Sequence, residues 1–411
     1  MNLNLDSVVA VSTHQRESLQ SLKNRFTSHV DYSKNSYRIT AIIQFEHEME
    51  NGMQAILNND ANYTFASRPI TFGNHSKLSV RELYLSMPVL NGHFLTIGKQ
   101  QVVWGKADGV KILDVVNPQS FNEFTLEDFG QSRIPLWMVN LELSLGDDLF
   151  QILWIPDTST HQLPVFESTY GFTAPRFSPP IPRDIPIQFK ENKAPKTRFK
   201  NSDFGLRWSS FVGGWDIAVN YLYHFEDQAI FSTELLSHNA TVLEITPEYY
   251  RSNLCGGSLS KPVGNITFRT EFAYKTDQRH YQQANELLVS DELSYVVGLD
   301  YFAWTDTLLS VQLIQQRLLD VKDETLFRAV NETSFSLLLR RSFWQETLTT
   351  EVLWQQNTND NDGLVRPKIQ YVYSDRLTLT AGLDIFYGDE RGVYGQFADL
   401  DRLYLKARVS F

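Results

Sequence analysis

Cys255 is the one cysteine in 411 residues, so no disulfide can form within the chain and no multi-cysteine metal site exists. No run of eighteen apolar residues occurs, which excludes a helical membrane span but not a barrel, whose strands are only half apolar. A basic surface is missing too: the formal charge is −11, which argues against nucleic acid as a partner. No His-Glu-x-x-His, Gly-x-Ser-x-Gly or phosphate-loop pattern appears, and the nine histidines are scattered without metal spacing. The expectation is a non-enzyme with no cofactor and no metal. The acidic stretch Asn357–Gly363 is faintly like a calcium loop, but the twelfth position from Thr358 is Ile369, which cannot close it. A secretory leader is not visible either, since Met1–Asp6 has no basic start and Val8–Val11 is too short an apolar core. The numbering is therefore expected to begin near a mature or trimmed start.

What is present is alternation. From Arg402 to Phe411, Leu403, Leu405, Ala407, Val409 and Phe411 are apolar, while Arg402, Tyr404, Lys406, Arg408 and Ser410 are polar or amphipathic. Successive side chains of a strand point to opposite faces, so this segment has one dry and one wet face. The same period recurs in Trp137–Leu145, Trp215–Tyr223, Ile266–Tyr274, Leu293–Ala303, Leu348–Trp354 and Leu377–Tyr387, and no stretch keeps a helical apolar stripe. Aromatics are abundant, at 27 Phe, 18 Tyr and 8 Trp, as expected if girdles of rings mark two membrane interfaces. A terminal strand of this kind, ending on an aromatic residue, is how bacterial outer-membrane barrels finish. The fold expected is all-β: a transmembrane antiparallel up-and-down barrel.

Connections alternate between tight turns (Asn91-Gly92, Gly146-Asp147, Gly213-Gly214, Thr305-Asp306, Ser374-Asp375) and long segments, as short periplasmic turns and long external loops do. Strands are predicted near 22–32, 37–47, 53–65, 78–87, 93–103, 136–145, 148–155, 203–212, 215–224, 243–254, 264–275, 292–304, 307–317, 332–342, 346–356, 366–373, 377–388 and 402–411. That count of about 18, with 16 as the alternative, puts residues 1–20 in a periplasmic segment and 21–411 in one barrel. The stretch 103–135 is too long for a turn and is read as a constriction or plug folded into the lumen, with packing on the rim as the alternative. The stretch 156–202 is a second long loop. Pro156 to Pro195 holds eight of the fifteen prolines, so it is irregular rather than wall.

Wet-face charges are the lumen candidates: Glu82, Glu142, Arg207, Asp216, Arg269, Glu271, Asp300, Glu351, Asp384, Arg402, Lys406 and Arg408. A ring of charge can select permeants by sign, and the same groups can simply pair and stiffen the wall. Lys99 has the parity of Leu95 and Ile97, so alternation turns it toward lipid unless a bulge re-aims it inward. Within the long loop, Trp104 follows the strand end. Lys106, Asp108, Lys111, Asp114, Glu127, Asp128 and Arg133 mix both signs as ties to the inner wall. Phe121, Phe124 and Phe129 suit an amphipathic permeant or the loop's own small core.

The runs Arg81–Leu85, Ile97–Gly105, Ala107–Gly109, Leu113–Pro118, Ser132–Trp137 and Leu153–Pro156, with Gly395–Phe397, Asp401-Arg402 and Tyr404, resemble a proteobacterial family of outer-membrane barrels of uncharacterised function. Members are often encoded beside RND-superfamily exporters and a periplasmic lipid-carrier-like protein. The resemblance implies a cell outer-membrane location in a Gram-negative bacterium, contact with outer-membrane lipid and lipopolysaccharide, and insertion by the barrel assembly machinery. Lys406 stands where the assembly signal often has Gly, so that recognition would rest on Val409 and Phe411. The function expected is a channel for small amphipathic, hydrophobic or lipid-like molecules, working with a periplasmic carrier and an inner-membrane RND-type exporter. A general diffusion porin for hydrophilic solutes and an outer-membrane hydrolase are the alternatives.

Overall fold

The computed structural model describes residues 2–411 apart from 15–17, 51–61, 90–91, 108–110, 165–167, 179–184, 191–194, 196–198, 238–240, 283–286, 303 and 322–325. The strands run β1 Asn2–Ser12, β2 Leu19–Lys34, β3 Tyr37–Glu48, β4 Ile70–Phe72, β5 Ser76–Pro88, β6 Phe94–Gln100, β7 Leu136–Leu145 and β8 Asp148–Ile155. They continue with β9 Ile187–Phe189, β10 Asp203–Val212, β11 Trp215–Phe225, β12 Ile230–Ser237, β13 Thr241–Glu248, β14 Arg251–Val263, β15 Ile266–Tyr281 and β16 Leu287–Tyr301. The last are β17 Thr307–Leu318, β18 Asn331–Phe343, β19 Leu348–Asn357, β20 Asp362–Ser374, β21 Leu377–Tyr387 and β22 Arg402–Ser410.

Eighteen of these form a closed antiparallel barrel. Closure is made by β1, which pairs with β2 on one side and β22 on the other, Val9 lying opposite Leu405 and Asp6 opposite Arg408. The short β4 pairs with the first residues of β5, and β9, β12 and β13 build a small sheet separate from the wall. Connections at one end are tight, as at Asn35-Ser36, Gly146-Asp147, Gly213-Gly214 and Gly264-Asn265, and those at the other end are mostly long.

Alternation sets the two faces. Val219, Leu299, Val311, Leu339, Leu379 and Leu405 stand exposed on the outside, and Ala218, Asn220, Gln312 and Asp384 are buried within. Tyr32, Tyr37, Phe94, Phe211, Trp304, Trp344 and Tyr373 are exposed around the tight-turn end. That ring is an aromatic girdle at one interface, and an outer band this apolar suits hydrocarbon, not water.

Two expected strands are corrected. Residues 1–20 are not a leading segment outside the barrel, because Asn2–Ser12 is wall. Their inward side (Asn4, Asp6, Val8, Ala10, Ser12) mixes polar with apolar groups, so the run Val8–Val11 hides the period. The strand expected at 53–65 is replaced by β1 in the count: 53–61 lies outside the described residues and 62–65 is not strand. The strand expected at 243–254 is split. Its first part is β13 in the small sheet, and the wall strand is β14, whose Gly256-Gly257 pair weakens any propensity signal.

Outward and inward substitutions on β22 should therefore differ. Leu405→Arg is expected to cost about 2–4 kcal/mol of barrel stability, as a cation near the bilayer midplane does. Lys406→Gln, facing in, is expected to cost under about 1 kcal/mol. Urea unfolding in lipid vesicles measures both; equal effects would mean that the faces are assigned wrongly.

Candidate pore and constriction

At Gln100 the wall strand β6 stops, and the chain passes into the lumen. Val102, Trp104, Ile112, Leu113 and Val116 are buried there against Leu136, Met138, Leu153, Leu222, Leu254, Val296 and Ile314, which project inward from β7, β8, β11, β14, β16 and β17. The inner wall on this side is thus apolar, and the loop covers it. Each loop side chain so buried contributes roughly 1.5–3 kcal/mol before the cost of ordering the chain. Gly256 is needed at this contact, because a Cβ on it would meet the Leu113 side chain and the Phe272 carbonyl.

Polar ties fix the loop's shape. Val102 N–H donates to Asn117 Oδ1 at 2.8 Å, and Asn117 Nδ2 donates to the Ile134 carbonyl at 3.1 Å, which closes the neck. Arg133 grips Asp114 Oδ2 through Nε at 2.9 Å and Nη2 at 2.7 Å. Ala107 N–H donates to Glu271 Oε1 at 2.8 Å, and Lys106 pairs with Asp216. Gln119 N–H donates to His161 Nδ1 at 2.9 Å. Burial lowers that imidazole to about 3, so it is neutral near pH 7 and its acceptor nitrogen stays free for this bond.

The loop's tip reaches the opposite wall. Phe124 packs on Phe172, Phe386, Tyr394 and Phe397 with ring centroids 4.7–6.4 Å apart. Glu127 lies between Lys23 (3.3 Å) and Arg25 (2.6 Å), and Arg402 reaches Glu123 at 3.2 Å. Arg366 donates to the Leu126 carbonyl at 2.8 Å. The loop therefore bridges the lumen as a constriction.

Beside it remains a cavity of about 310 Å³ lined by Lys23, Arg25, Arg366, Lys368, Arg402, Lys406 and Arg408, with Glu123, Glu127, Asp128 and Glu351 as its acids. These cations have partners: the lining acids Glu123, Glu127 and Glu351 pair with them, Asp128 stands exposed beside them, and two further acids, Asp384 and Asp6, lie behind the lining. Arg366 and Arg402 share Asp384 at 2.7 Å each, and Arg408 holds Asp6 at 2.7 Å. The side chains of Asp384 and Asp6 are 0% and 7% exposed, against 45% for Arg408, 33% for Lys368 and 23% for Lys406. The face shown to the opening is positive, although the whole chain is acidic.

Of the expected residues, Asp384, Arg402, Lys406 and Arg408 meet at this cavity or directly behind it. Arg269 (to Asp300, 2.8 Å), Glu271 and Asp216 tie the loop or the wall together on the other side. Glu82 accepts from Gln101 at 2.8 Å, Glu142 from Gln151 at 3.3 Å, and Arg207 donates to the Val103 carbonyl at 3.4 Å. Glu351 holds Arg340 and Lys368. In the loop, Trp104 donates through its indole to Gln151 at 2.8 Å, Lys111 sits over the Phe129 ring, and Phe121 packs edge-on to His161. Asp108 lies outside the described residues. Lys99 is not a lumen group: it pairs with Trp137 on the outward side and donates to the Ser67 carbonyl at 3.2 Å, under a segment that covers it. Phe124 is buried among other rings, so it is core of the loop rather than an open surface. Asp362, in the calcium-like stretch, accepts from Gly395 N–H at 3.2 Å, and no metal-holding cluster occurs among the described residues.

Missed from the sequence were Lys23 and Arg25 on β2, Arg366 and Lys368 on β20, and Asp6. Each cationic pair has i, i+2 spacing, so parity alone could have placed both on one face. Asp6 was hidden because β1 was not recognised.

A family model described as "Protein of unknown function (DUF1302)" matches residues 58–411. No curated protein matches the chain in sequence. Among solved structures, Pseudomonas aeruginosa OccK8 (OprE) superposes with TM-score 0.55 at 10% identity, covering 100% of this chain and 97% of that one. Acinetobacter baumannii OccAB3 gives 0.53 at 10%, with 100% and 98% covered. Pseudomonas aeruginosa OpdK, solved with vanillate, gives 0.53 at 9%, with 100% and 97% covered. At these identities the likeness is one of fold.

Trp104→Ala is expected to loosen the loop by about 3–5 kcal/mol of docking energy and raise single-channel conductance. An unchanged conductance would remove the loop from the pore. A pH effect follows from Glu127. Burial would raise its carboxyl, but Lys23 and Arg25 outweigh that and hold it at about 2, below the ordinary 4.5. The anchor is therefore complete above about pH 4.5 and is lost as pH falls toward 2. Hydrogen exchange across 121–131 should accelerate in that window, and Glu127→Gln should flatten the dependence.

Proposed function

The chain belongs to the family described as proteins of unknown function (DUF1302), and from that premise and its lumen we propose that it is an outer-membrane channel for small amphipathic anions. The carrying observation is the net positive lining of the cavity, seven arginines and lysines against four carboxylates, with Asp384 and Asp6 tucked behind. An anion crossing there trades water for several charged donors, with Asp128 the one exposed carboxylate of the lining. A porin-like fold shared with a protein solved with vanillate agrees with this reading. Delivery by a periplasmic carrier, and onward work with an exporter, remain part of the proposal.

Planar bilayers with a salt gradient test the charge. Wild type is expected to be anion-selective, and Lys368→Glu with Arg408→Glu is expected to move the reversal potential toward the cation value. Cation selectivity in the wild type would sink the proposal.

A further inference from the structure

The wall has a gap on one flank of β5. Pairing with β6 begins at Leu83, opposite Lys99, and pairing with β4 stops at Leu78, opposite Ile70. Among the described residues, Ser79 to Glu82 have no strand beside them there. At about 3.3 Å per residue, that is a slot on the order of 13 Å tall. The backbone around it is distorted. The β3–β5 register shifts at Ile42/Ile43, which leaves Arg81 out of the ladder, and Gly98 sits at φ +133°, a conformation closed to other residues here because a Cβ would collide with the Leu83 carbonyl.

The segment Asn62–Arg68 fills the slot. Tyr63 is on its inner side: the hydroxyl donates to Gln162 Oε1 at 3.0 Å, and the residue lines an inner cavity with Arg25, Glu46 and Arg81. Ala66 and Ser67 are on its outer side. The Trp137 indole donates to the Ala66 carbonyl at 3.1 Å, and Lys99 Nζ to the Ser67 carbonyl at 3.2 Å. The segment joins no strand ladder. Its ties are side-chain bonds such as Thr64 Oγ1 to Asp157 Oδ1 at 2.8 Å, one main-chain bond from Thr160 N–H to the Asn62 carbonyl at 2.8 Å, and a turn of its own from the Ser67 and Arg68 N–H groups to the Thr64 carbonyl, both 3.0 Å. It can therefore leave without breaking the wall.

Next to the covered slot, on the membrane side, lies a groove of about 420 Å³ with almost no polar atoms, lined by Ile39, Leu83, Ile97, Trp137, Val139 and Trp154. Ile39, Leu83 and Ile97 are 40–44% exposed on the outward face, so the groove is continuous with the lipid-facing band. An open apolar concavity within hydrocarbon takes an apolar chain; the inner cavity behind the slot sets Lys23, Arg25, Lys77 and Arg81 against Glu46, Glu48, Glu123 and Glu127 and shares Lys23 and Arg25 with the cation-rich cavity, which takes an anionic head.

We propose that the slot is a lateral port, that Asn62–Arg68 is its removable strap, and that the outer groove seats the tail of a single-chain anionic amphiphile passing between lumen and membrane. This rests on the channel reading above. The test uses the full chain with Cys255→Ser, reconstituted in liposomes, and adds Thr64→Cys with Asp157→Cys to lock the strap. The probes are chloride conductance and transfer of a spin-labelled twelve-carbon carboxylate from the lumen side into the bilayer. Oxidation is expected to abolish carboxylate transfer while chloride conductance persists, and reductant is expected to restore transfer. Val139→Trp, which fills the groove without touching the strap, is expected to reduce transfer in the same way. Transfer indifferent to both changes, or conductance and transfer falling together, overturns the port. A wild type that conducts nothing overturns the channel reading, and the port with it.

Discussion

Hydrocarbon supplies no hydrogen-bond partners, and this one constraint organises the molecule. Each wall strand needs a neighbour on both flanks, so the sheet must close, and it does so where β1 meets β22. Closure then dictates the rest. The side chains that meet lipid must be apolar, the inner ones are released from that demand, and irregular chain is tolerated only where protein or water satisfies its backbone. The loop from Gln101 to Ile134 obeys the last rule. Its turns find partners in Asn117, Glu271, Asp114 and His161 rather than in lipid.

The interior is divided in two by chemistry. On the side of β7 to β17 the inner wall carries leucine, methionine, valine and isoleucine, which water would cover badly and the loop covers well. On the side of β20, β22 and β2 it carries arginine and lysine over buried acids. A loop tied to both sides by different forces, oily contact on one and ion pairs on the other, is fixed in position more firmly than either force alone would fix it. The ion pairs at its tip are largely shielded from solvent, so they are worth more than surface pairs and are costly to break singly.

The barrel was legible in the sequence because its signal is repeated. Alternation in a single strand is weak, but the same period between alternating short and long connections admits few other folds. The residues that were not legible fail for physical reasons. Val8–Val11 of β1 look like a short apolar run because Val8 and Ala10 face inward. The wall strand β14 carries two adjacent glycines, Gly256 against Leu113 of the loop and Gly257 against the Ala218 carbonyl and the Phe272 ring of the wall. The apolar inner patch broke the rule that wet faces are polar, and nothing local in Leu222 or Leu254 reveals that Leu113 will cover them. Lys99 was ambiguous by parity, and its cover comes from Ser67, more than thirty residues away in sequence. Arg402, Lys406 and Arg408 were found because they share one strand and one face.

The seam between β1 and β22 has a consequence in time. Asn4 lies opposite Ser410, and Asp6 opposite Arg408. During synthesis the earliest strand waits with one unpaired edge until the latest is made, and no shorter intermediate can shield both edges. Whatever holds the nascent chain must guard that edge for the whole interval, which makes the final zip between the oldest and youngest segments the step most exposed to misassembly.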